Sequence, residues 1–120
     1  MKRLWYEEMF DHIDNKRMDE FLALVTDDIK LTFGNQPSAT GKEQVRAALT
    51  AFWQTIEGLK HHFVNVFESG GHFIFEESVS YTRTDRRTVT VPCVTVIKLD
   101  GERARDWRIY TDLTPVFSPG

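Results

Sequence analysis

The segment Asp106-Trp107-Arg108-Ile109-Tyr110-Thr111-Asp112 is the last regular stretch of the chain, and the fold can be worked out from it. Its aromatic and β-branched residues favour a strand, in which alternate side chains lie on opposite faces. One face is largely apolar and carries Trp107, Ile109 and Thr111. The other face is polar and carries Asp106, Arg108, Tyr110 and Asp112. We expect this polar face to line a cavity in which those groups act on a ligand. Bulk solvent is the alternative.

Helical spacing of apolar residues dominates the first half of the chain. It predicts helices over residues 4–13, 18–25 and 42–57, with Gly58 as the C-terminal cap of the third helix. Residues 29–33 alternate between apolar and polar and are predicted to form a short strand.

The second half of the chain changes to a period of two. The predicted strands cover residues 62–67, 73–82, 88–99 and 106–112. Helices followed by a meander of strands predict a single α+β domain over residues 1–120. In it, three N-terminal helices cover one face of a curved mixed or antiparallel sheet. The space between the helices and the sheet is the natural position for a ligand pocket.

The composition limits the functions that the chain can have. A net charge of -3 over 120 residues provides no basic footprint for nucleic acid. Charges begin too early for a signal peptide and no apolar run approaches membrane-spanning length, so we expect a cytoplasmic protein. Cys93 lies in a β-branched run and is expected to be a buried, reduced thiol. His12 and His72 lack acidic or sulfur companions at ligand spacing, so we expect no metal and no cofactor.

The polar face of the last strand provides three candidates for chemistry. Asp112 ends the strand beside apolar residues, where desolvation would raise its pKa and make it a general base. A surface aspartate that caps the following turn is the alternative. Arg108 needs a partner from a neighbouring strand, such as Glu77, either to brace the sheet or to take part in catalysis. Tyr110 is expected to orient a ligand, or else to fill the core with its hydroxyl satisfied.

Glu77 is a further candidate because it interrupts an apolar strand face, where an unpaired carboxylate would be costly. It either pairs with Arg108 or donates a proton to a ligand. Tyr81 would supply a hydroxyl to the same cavity.

Of the adjacent His61 and His62, only one can face the pocket. We favour His62, which shares a face with Val64 and Val66. A hydrogen-bonded histidine at a strand start is the alternative. Aromatic side chains are expected to wall the pocket or, alternatively, to be plain core, and they are Trp5, Tyr6, Phe33, Phe52 and Trp53.

The order of elements and several segments resemble the nuclear transport factor two-like superfamily, and within it the SnoaL-like (polyketide cyclase-like) proteins. The segments are Gly41-Lys42-Glu43-Gln44-Val45, Tyr81-Thr82-Arg83-Thr84-Asp85, Val91-Pro92-Cys93-Val94-Thr95-Val96 and 106–113. The resemblance implies a cone-shaped α+β fold with a pocket on its concave side, and in many relatives a dimer formed through the outer sheet face. The superfamily includes isomerases, cyclases, epoxide hydrolases and non-catalytic binders.

Two families of the superfamily can be compared with this chain residue by residue. Where ketosteroid isomerases carry their base and two oxyanion donors, this chain has the apolar Phe33, Met9 and Val94, so that chemistry is lost. Val94 is then expected to line the pocket with apolar surface.

Limonene epoxide hydrolases are more similar. Their Tyr-x-Asn loop resembles Phe33-Gly34-Asn35, and their last-strand aspartate matches Asp112, so the resemblance implies that Asn35 and Asp112 hold and activate a water. Their Arg-x-Asp pair falls on Glu77 and Val79, which removes the family's proton donor.

These features lead to the hypothesis of a cofactor-independent acid–base enzyme for a small hydrophobic, polyketide- or terpenoid-like molecule. Asp112 would be the base, as hydrolase, isomerase or cyclase. A non-catalytic binding or dimerisation module is the alternative. We also expect a homodimer, because the strand faces predicted to point outward would form an unusually apolar patch. These faces carry Trp107, Ile109 and Thr111 together with Cys93, Thr95 and Ile97.

Overall fold

A computed structural model describes residues 4–119 and confirms the predicted order of helices followed by a sheet. The helices in this range are α1 (Trp5–Asp14), α2 (Met18–Leu22), α3 (Lys42–Trp53) and α4 (Thr114–Phe117). The strands in this range are β1 (Val25–Phe33), β2 (Ala39–Thr40), β3 (Gly58–Ser69), β4 (His72–Thr82), β5 (Thr88–Asp100) and β6 (Arg103–Thr111). Within the described range, every helix is too short to span a membrane as an apolar segment.

The strands form one curved, unclosed sheet in the order β2-β1-β6-β5-β4-β3. Strands β3 to β6 form an antiparallel meander, whereas β1 pairs in parallel with β6. The register shifts between Phe63 and Asn65 and between Lys98 and Leu99, and such β-bulges bend strands and increase their twist. The N-terminal helices cover the concave face of the sheet, as predicted for an α+β fold.

The corner between α1 and α2 is tied to the end of α3 by one lysine. Lys16 adopts a positive φ of 55°, and its ammonium donates to the carbonyl oxygens of Trp53 and Ile56 at 3.0 and 2.9 Å. Trp53 is the last residue of α3, where a positive charge is favourable, and Ile56 lies in the segment that follows the helix. The helical layer is therefore held together at the point where α1 ends.

Both α2 and α3 end earlier than the apolar spacing predicts. Helix α3 ends at Trp53, and Gly58 is the first residue of β3 rather than a helix cap. The backbone N–H of Glu57 donates to the carbonyl of Thr82 at 2.8 Å, so this segment has already joined the sheet. Val25, predicted to end the second helix, instead begins β1. Tertiary pairing with the sheet has overridden the helical pattern at both positions.

Trp107 decides which face of β6 turns inward. Its side chain is 2% exposed and contacts the rings of Phe10 in α1 and Phe21 in α2, each at a centroid distance of 5.2 Å. Burying the indole removes more apolar surface from water than burying any other side chain of this strand. The apolar face therefore packs on the helices, and the prediction that the polar face lines the interior is wrong. The residues of β6 on the outer face include Asp106, Arg108 and Tyr110.

Strand β5 is oriented in the same way. Its most buried residues include Cys93, Thr95 and Ile97. They lie opposite the inward residues of β6, whereas Val94 lies opposite Tyr110 on the outer face. The prediction that the inward set forms an outer dimerisation surface is therefore wrong, because these side chains fill the interior between sheet and helices.

The orientation of β6 can be tested with two substitutions from its opposite faces. We expect Trp107→Ala to lower the free energy of unfolding by about 3–5 kcal/mol, because it removes a ring packed on two helices. Tyr110→Ala removes a ring that is half-exposed in the single chain and, at protein concentrations low enough for the chain to be monomeric, should lower it by about 1 kcal/mol or less. Urea unfolding followed by circular dichroism measures both. A loss in Tyr110→Ala as large as that in Trp107→Ala would contradict the orientation.

Candidate functional site

A small cavity lies between the helices and the concave face of the sheet. This inner cavity has a volume of about 30 Å³, which is room for one water molecule. Its walls are mostly apolar, and its polar or polarisable wall residues are Trp53, His61, Tyr81, Cys93 and Thr95. The indole Nε1 of Trp53 is buried and has no hydrogen-bond partner among residues 4–119. Several polar side chains of an otherwise apolar core therefore lie on the wall of this cavity.

Asp14 and His61 form a buried carboxylate–imidazole pair beside this cavity. The Nδ1 of His61 and the Oδ1 of Asp14 are 2.6 Å apart, and the backbone N–H of His61 donates to Oδ2 of Asp14 at 3.0 Å. Their side chains are 10% and 6% exposed. The ring of Phe10 packs against the imidazole at a centroid distance of 4.8 Å. Oδ1 of Asp14 thus orients the imidazole through Nδ1, whereas Oδ2 holds the backbone of His61 and lies 3.9 Å from the ammonium of Lys60. Nε2 is the ring nitrogen left for proton transfer.

His61 lines the inner cavity, whereas His62, the histidine predicted to face the pocket, does not. His62 lies on the outer face of the sheet, is exposed, and is 3.3 Å from the hydroxyl of Ser80. The reason is the β-bulge after Phe63, which changes the alternation of β3. The orientation of Val66 beyond the bulge therefore carries no information about His62. The signal that could have identified His61 is its spacing of two from the buried Leu59.

Glu77 lies on the inward face of β4 and is 2% exposed. Its Oε1 accepts the hydroxyl of Thr95 at 2.5 Å, whereas its Oε2 is buried without a hydrogen-bond partner in the described part of the chain. Burial raises the pKa of Glu77, opposed mainly by the charge of His61. The predicted pairing with Arg108 is wrong, because Arg108 lies on the outer face with its Nε 3.7 Å from Oδ2 of Asp106.

Tyr81 and Cys93 are the other ionisable groups of the inner cavity. Tyr81 is 3% exposed and faces inward, as predicted. Burial, followed by the nearby Cys93 and Glu77, raises the pKa of its phenol well above the usual range, so Tyr81 can donate a proton in a hydrogen bond but is not a base. Burial likewise raises the pKa of Cys93 to about 12, which leaves a protonated thiol that is a poor nucleophile.

A larger cleft opens beside the inner cavity. This outer cleft has a volume of about 750 Å³ and lies between α3, the 34–38 loop and residues 111–117. Three of the predicted site residues, Phe33, Asn35 and Asp112, line it. The side chains that contribute to the walls of both the outer cleft and the inner cavity are Leu31, Phe33, Leu49 and Phe52. These four residues form the partition between the two spaces.

Asp112 does not have the environment expected of a general base. It is exposed, and its Oδ1 accepts the backbone N–H of Thr114 at 2.9 Å. Hydrogen bonds from the side chain and backbone of Thr114 hold the pKa of Asp112 below its usual range. The predicted increase by desolvation is therefore wrong. Asp112 instead accepts a hydrogen bond within the turn that precedes α4, which agrees with the alternative interpretation of a surface aspartate at this turn.

The remaining predicted residues are divided between the interior and the outer face. Tyr110 and Val94 lie opposite each other on the outer face and are 49% and 36% exposed, so their predicted positions in the pocket are wrong. Trp53 lines the inner cavity as expected. Trp5 and Tyr6 pack on Phe75 in the aromatic part of the core. Among residues 4–119, no group of three or more His, Cys, Asp or Glu side chains is arranged to hold a metal ion.

Comparison with known protein families shows to which family the chain belongs. Residues 6–107 match the SnoaL-like domain family. The chain belongs to this family. SnoaL-like domains are part of the NTF2-like superfamily, which agrees with the resemblance noted from the sequence. A search of curated proteins gives no significant match.

Solved structures with the same fold as this SnoaL-like protein have low sequence identity to it. A protein named as a SnoaL-like polyketide cyclase from Jannaschia sp. CCS1 is 18% identical, with a TM-score of 0.81 and coverage of 100% of this chain and 99% of that chain. An LEH-like epoxide hydrolase from M. tuberculosis is 18% identical, with a TM-score of 0.77 and coverage of 94% and 84%. An NTF2-like protein of unknown function from Burkholderia pseudomallei is 18% identical, with a TM-score of 0.81 and coverage of 93% and 91%.

The buried state of Glu77 predicts a dependence of stability on pH. Because its folded-state pKa is raised above 4.5, the folded protein holds this proton more tightly than the unfolded chain does. The contribution of Glu77 to the free energy of unfolding is therefore greatest below about pH 4.5, and it declines as pH rises toward the folded-state pKa. The free energy of unfolding of the wild type relative to Glu77→Gln should fall in that window, by up to about 1.4 kcal/mol per pH unit.

Urea unfolding at a series of pH values measures this difference. Glu76→Gln is the matched control, since Glu76 is exposed and bonds to Asn65. A difference between wild type and Glu77→Gln that is constant with pH, or the same slope in Glu76→Gln, would contradict a raised pKa at Glu77.

Proposed function

We propose that this SnoaL-like protein is a cofactor-independent acid–base enzyme for a small hydrophobic molecule, with His61 as the general base and Asp14 as the residue that orients it. The observation that carries the proposal is the buried Asp14–His61 pair, with 2.6 Å between Nδ1 and Oδ1. Asp112, the base predicted from the sequence, is exposed and has a lowered pKa. Its carboxylate is therefore a weaker base than that of an ordinary aspartate.

In this mechanism His61 accepts a proton at Nε2, either from an acidic C–H group of the substrate or from a water. The carboxylate of Asp14 then stabilises the imidazolium through Nδ1. Tyr81 lines the same cavity and supplies a hydroxyl donor to developing negative charge, and Glu77 adjoins the cavity through the hydroxyl of Thr95. Isomerisation, cyclisation and hydrolysis can all begin with such a proton transfer.

The two spaces have different roles in this proposal. The outer cleft has the size of a ligand site, whereas the inner cavity holds no more than one water. The rings of Phe33 and Phe52 lie in the partition with a centroid distance of 5.2 Å. The body of the substrate would bind in the outer cleft, and its reacting end would reach His61 once these rings separate.

The names of structural neighbours support a hydrophobic substrate. They include a protein named as a polyketide cyclase and an epoxide hydrolase, both with the fold of this chain. The walls of the outer cleft and the inner cavity are largely apolar, which suits molecules of the polyketide or terpenoid kind.

A nitrobenzisoxazole provides a test that requires no knowledge of the natural substrate. This flat, neutral molecule opens its ring when one C–H proton is removed, and the coloured phenolate product is followed by absorbance. We expect the wild type to accelerate ring opening above buffer. His61→Gln should lower the rate by about 100-fold, the usual scale of a general base, and Asp14→Asn by about tenfold or more.

His62→Gln is the matched control and should leave the rate unchanged, because this neighbouring imidazole lies on the outer face. Circular dichroism establishes that each variant is folded. If the wild type binds the probe without accelerating its reaction, the alternative of a non-catalytic binding module is supported. If His62→Gln loses as much activity as His61→Gln, the assignment of the base is wrong.

We also propose self-association through the outer face of the sheet. Exposed apolar side chains lie on adjacent strands of this face, with Val94 on β5 opposite Tyr110 on β6. On β3, Phe67 is 53% exposed and lies opposite Ile74. Exposed apolar side chains of this kind on one sheet face are typical of an interaction surface.

Multi-angle light scattering at micromolar concentration tests the association. We expect a dimer for the wild type, and a monomer for Tyr110→Glu, which would place a charge opposite Val94 on this face. Glu68→Gln on the exposed edge strand is the control and should remain dimeric. A monomeric wild type would contradict the proposal.

A further inference from the structure

The outer cleft has one formal charge on a mostly apolar wall. Among the described residues that line it, Asp112 alone is ionisable, and the other polar side chains are neutral amides and hydroxyls. The cleft has room for a ligand of drug size. The one formal charge that the described wall presents to a ligand in this space is therefore a carboxylate.

This carboxylate is negative at neutral pH and has acceptor capacity left. Hydrogen bonds from Thr114 lower the pKa of Asp112, and the backbone N–H of Thr114 occupies Oδ1 at 2.9 Å. An ionised carboxyl group offers about four acceptor positions on its two oxygens. Asp112 can therefore accept a hydrogen bond from a ligand while its Oδ1 continues to accept the backbone N–H of Thr114.

No lysine, arginine or histidine of the described chain lines the cleft to neutralise Asp112. Arg83 approaches α4, but its Nη1 donates to the carbonyls of Val116 and Ser118, and its Nε donates to Asp85 at 3.1 Å. Its charge is thus engaged by other groups. An anionic ligand in the cleft would meet an uncompensated negative charge.

Aromatic rings in the same cleft favour the opposite charge. Phe33, Phe52 and Phe117 line it, and Phe117 is 51% exposed. The face of an aromatic ring attracts ammonium groups through its quadrupole. The carboxylate and the rings therefore act in the same direction, and the apolar wall accommodates the uncharged body of a ligand.

We infer that the outer cleft binds hydrophobic amines, molecules with a flat or alicyclic apolar body and one ammonium group, in preference to carboxylates and phosphates. The inference rests on the proposed function in taking this cleft as the place where the substrate is held before it reacts at His61. Asp112 is then the residue that determines specificity by charge, and the base lies elsewhere.

A matched series of probes tests the preference. Naphthylmethylamine, naphthylmethanol and naphthoate share one ring system and carry a positive, a neutral and a negative group at neutral pH. We compare the dissociation constants of the three probes, measured by NMR titration at low ionic strength. Chemical-shift changes of the backbone amides locate the binding site. For the wild type we expect the amine to bind about fivefold more tightly than naphthoate, with naphthylmethanol between them. Raised salt should reduce this ratio.

Asp112→Asn keeps the size of the side chain and removes its charge, so the ratio should fall to near one. Asp106→Asn removes the same charge from the outer face of the sheet and should leave the ratio unchanged. Naphthoate binding as tightly as the amine, an unchanged ratio in Asp112→Asn, an equal effect of Asp106→Asn, or shifts outside the outer cleft would each overturn the inference. His61→Gln should bind the probes as the wild type does. Failure here is thus distinguishable from failure of the proton-transfer proposal, which is read from turnover.

Discussion

The packing of Trp107 between α1 and α2 is the constraint on which the rest of the structure depends. Once the indole is turned toward Phe10 and Phe21, the pleat of β6 directs every second side chain of the strand to the same side. Pairing of β6 with β5 gives Cys93 and Thr95 the same inward orientation, and pairing of β5 with β4 gives it to Glu77. A single hydrophobic contact thus determines which polar groups are buried and which meet solvent.

The buried polar groups form one connected cluster. Asp14 holds His61, His61 lies diagonally across from Glu77 on the neighbouring strand, and Glu77 accepts the hydroxyl of Thr95. In a low-dielectric interior such a network is costly unless its members satisfy one another, and Glu77 responds by holding its proton. Within the described part of the chain, Oε2 of Glu77 and Nε1 of Trp53 are buried without a hydrogen-bond partner, which costs stability.

Sequence patterns predicted the elements well and the orientation of side chains poorly. The starts of α1 to α3 and the strands β1 and β3 to β6 followed from local spacing, because each depends on residues close in sequence, whereas β2 and α4 were not predicted. A period of two separates the faces of β6 but does not say which one is inward, and Trp107 supplies that information only through helices distant in sequence. For His62 the error came from the bulge in β3, which spacing does not reveal. The role of Asp14 depends on His61, and these residues are 47 positions apart in the chain.

The parallel pairing of β1 with β6 has a consequence for how this protein can change. It places the carboxyl ends of both strands at the same end of the sheet. The 34–38 loop and residues 112–117 are therefore neighbours, although they come from opposite halves of the chain. Asp14 and His61, which we propose for proton transfer, lie on α1 and β3. Insertions or exchanges in these two surface segments would therefore reshape the outer cleft and leave the Asp14–His61 pair in place, so the choice of ligand can change independently of the interior.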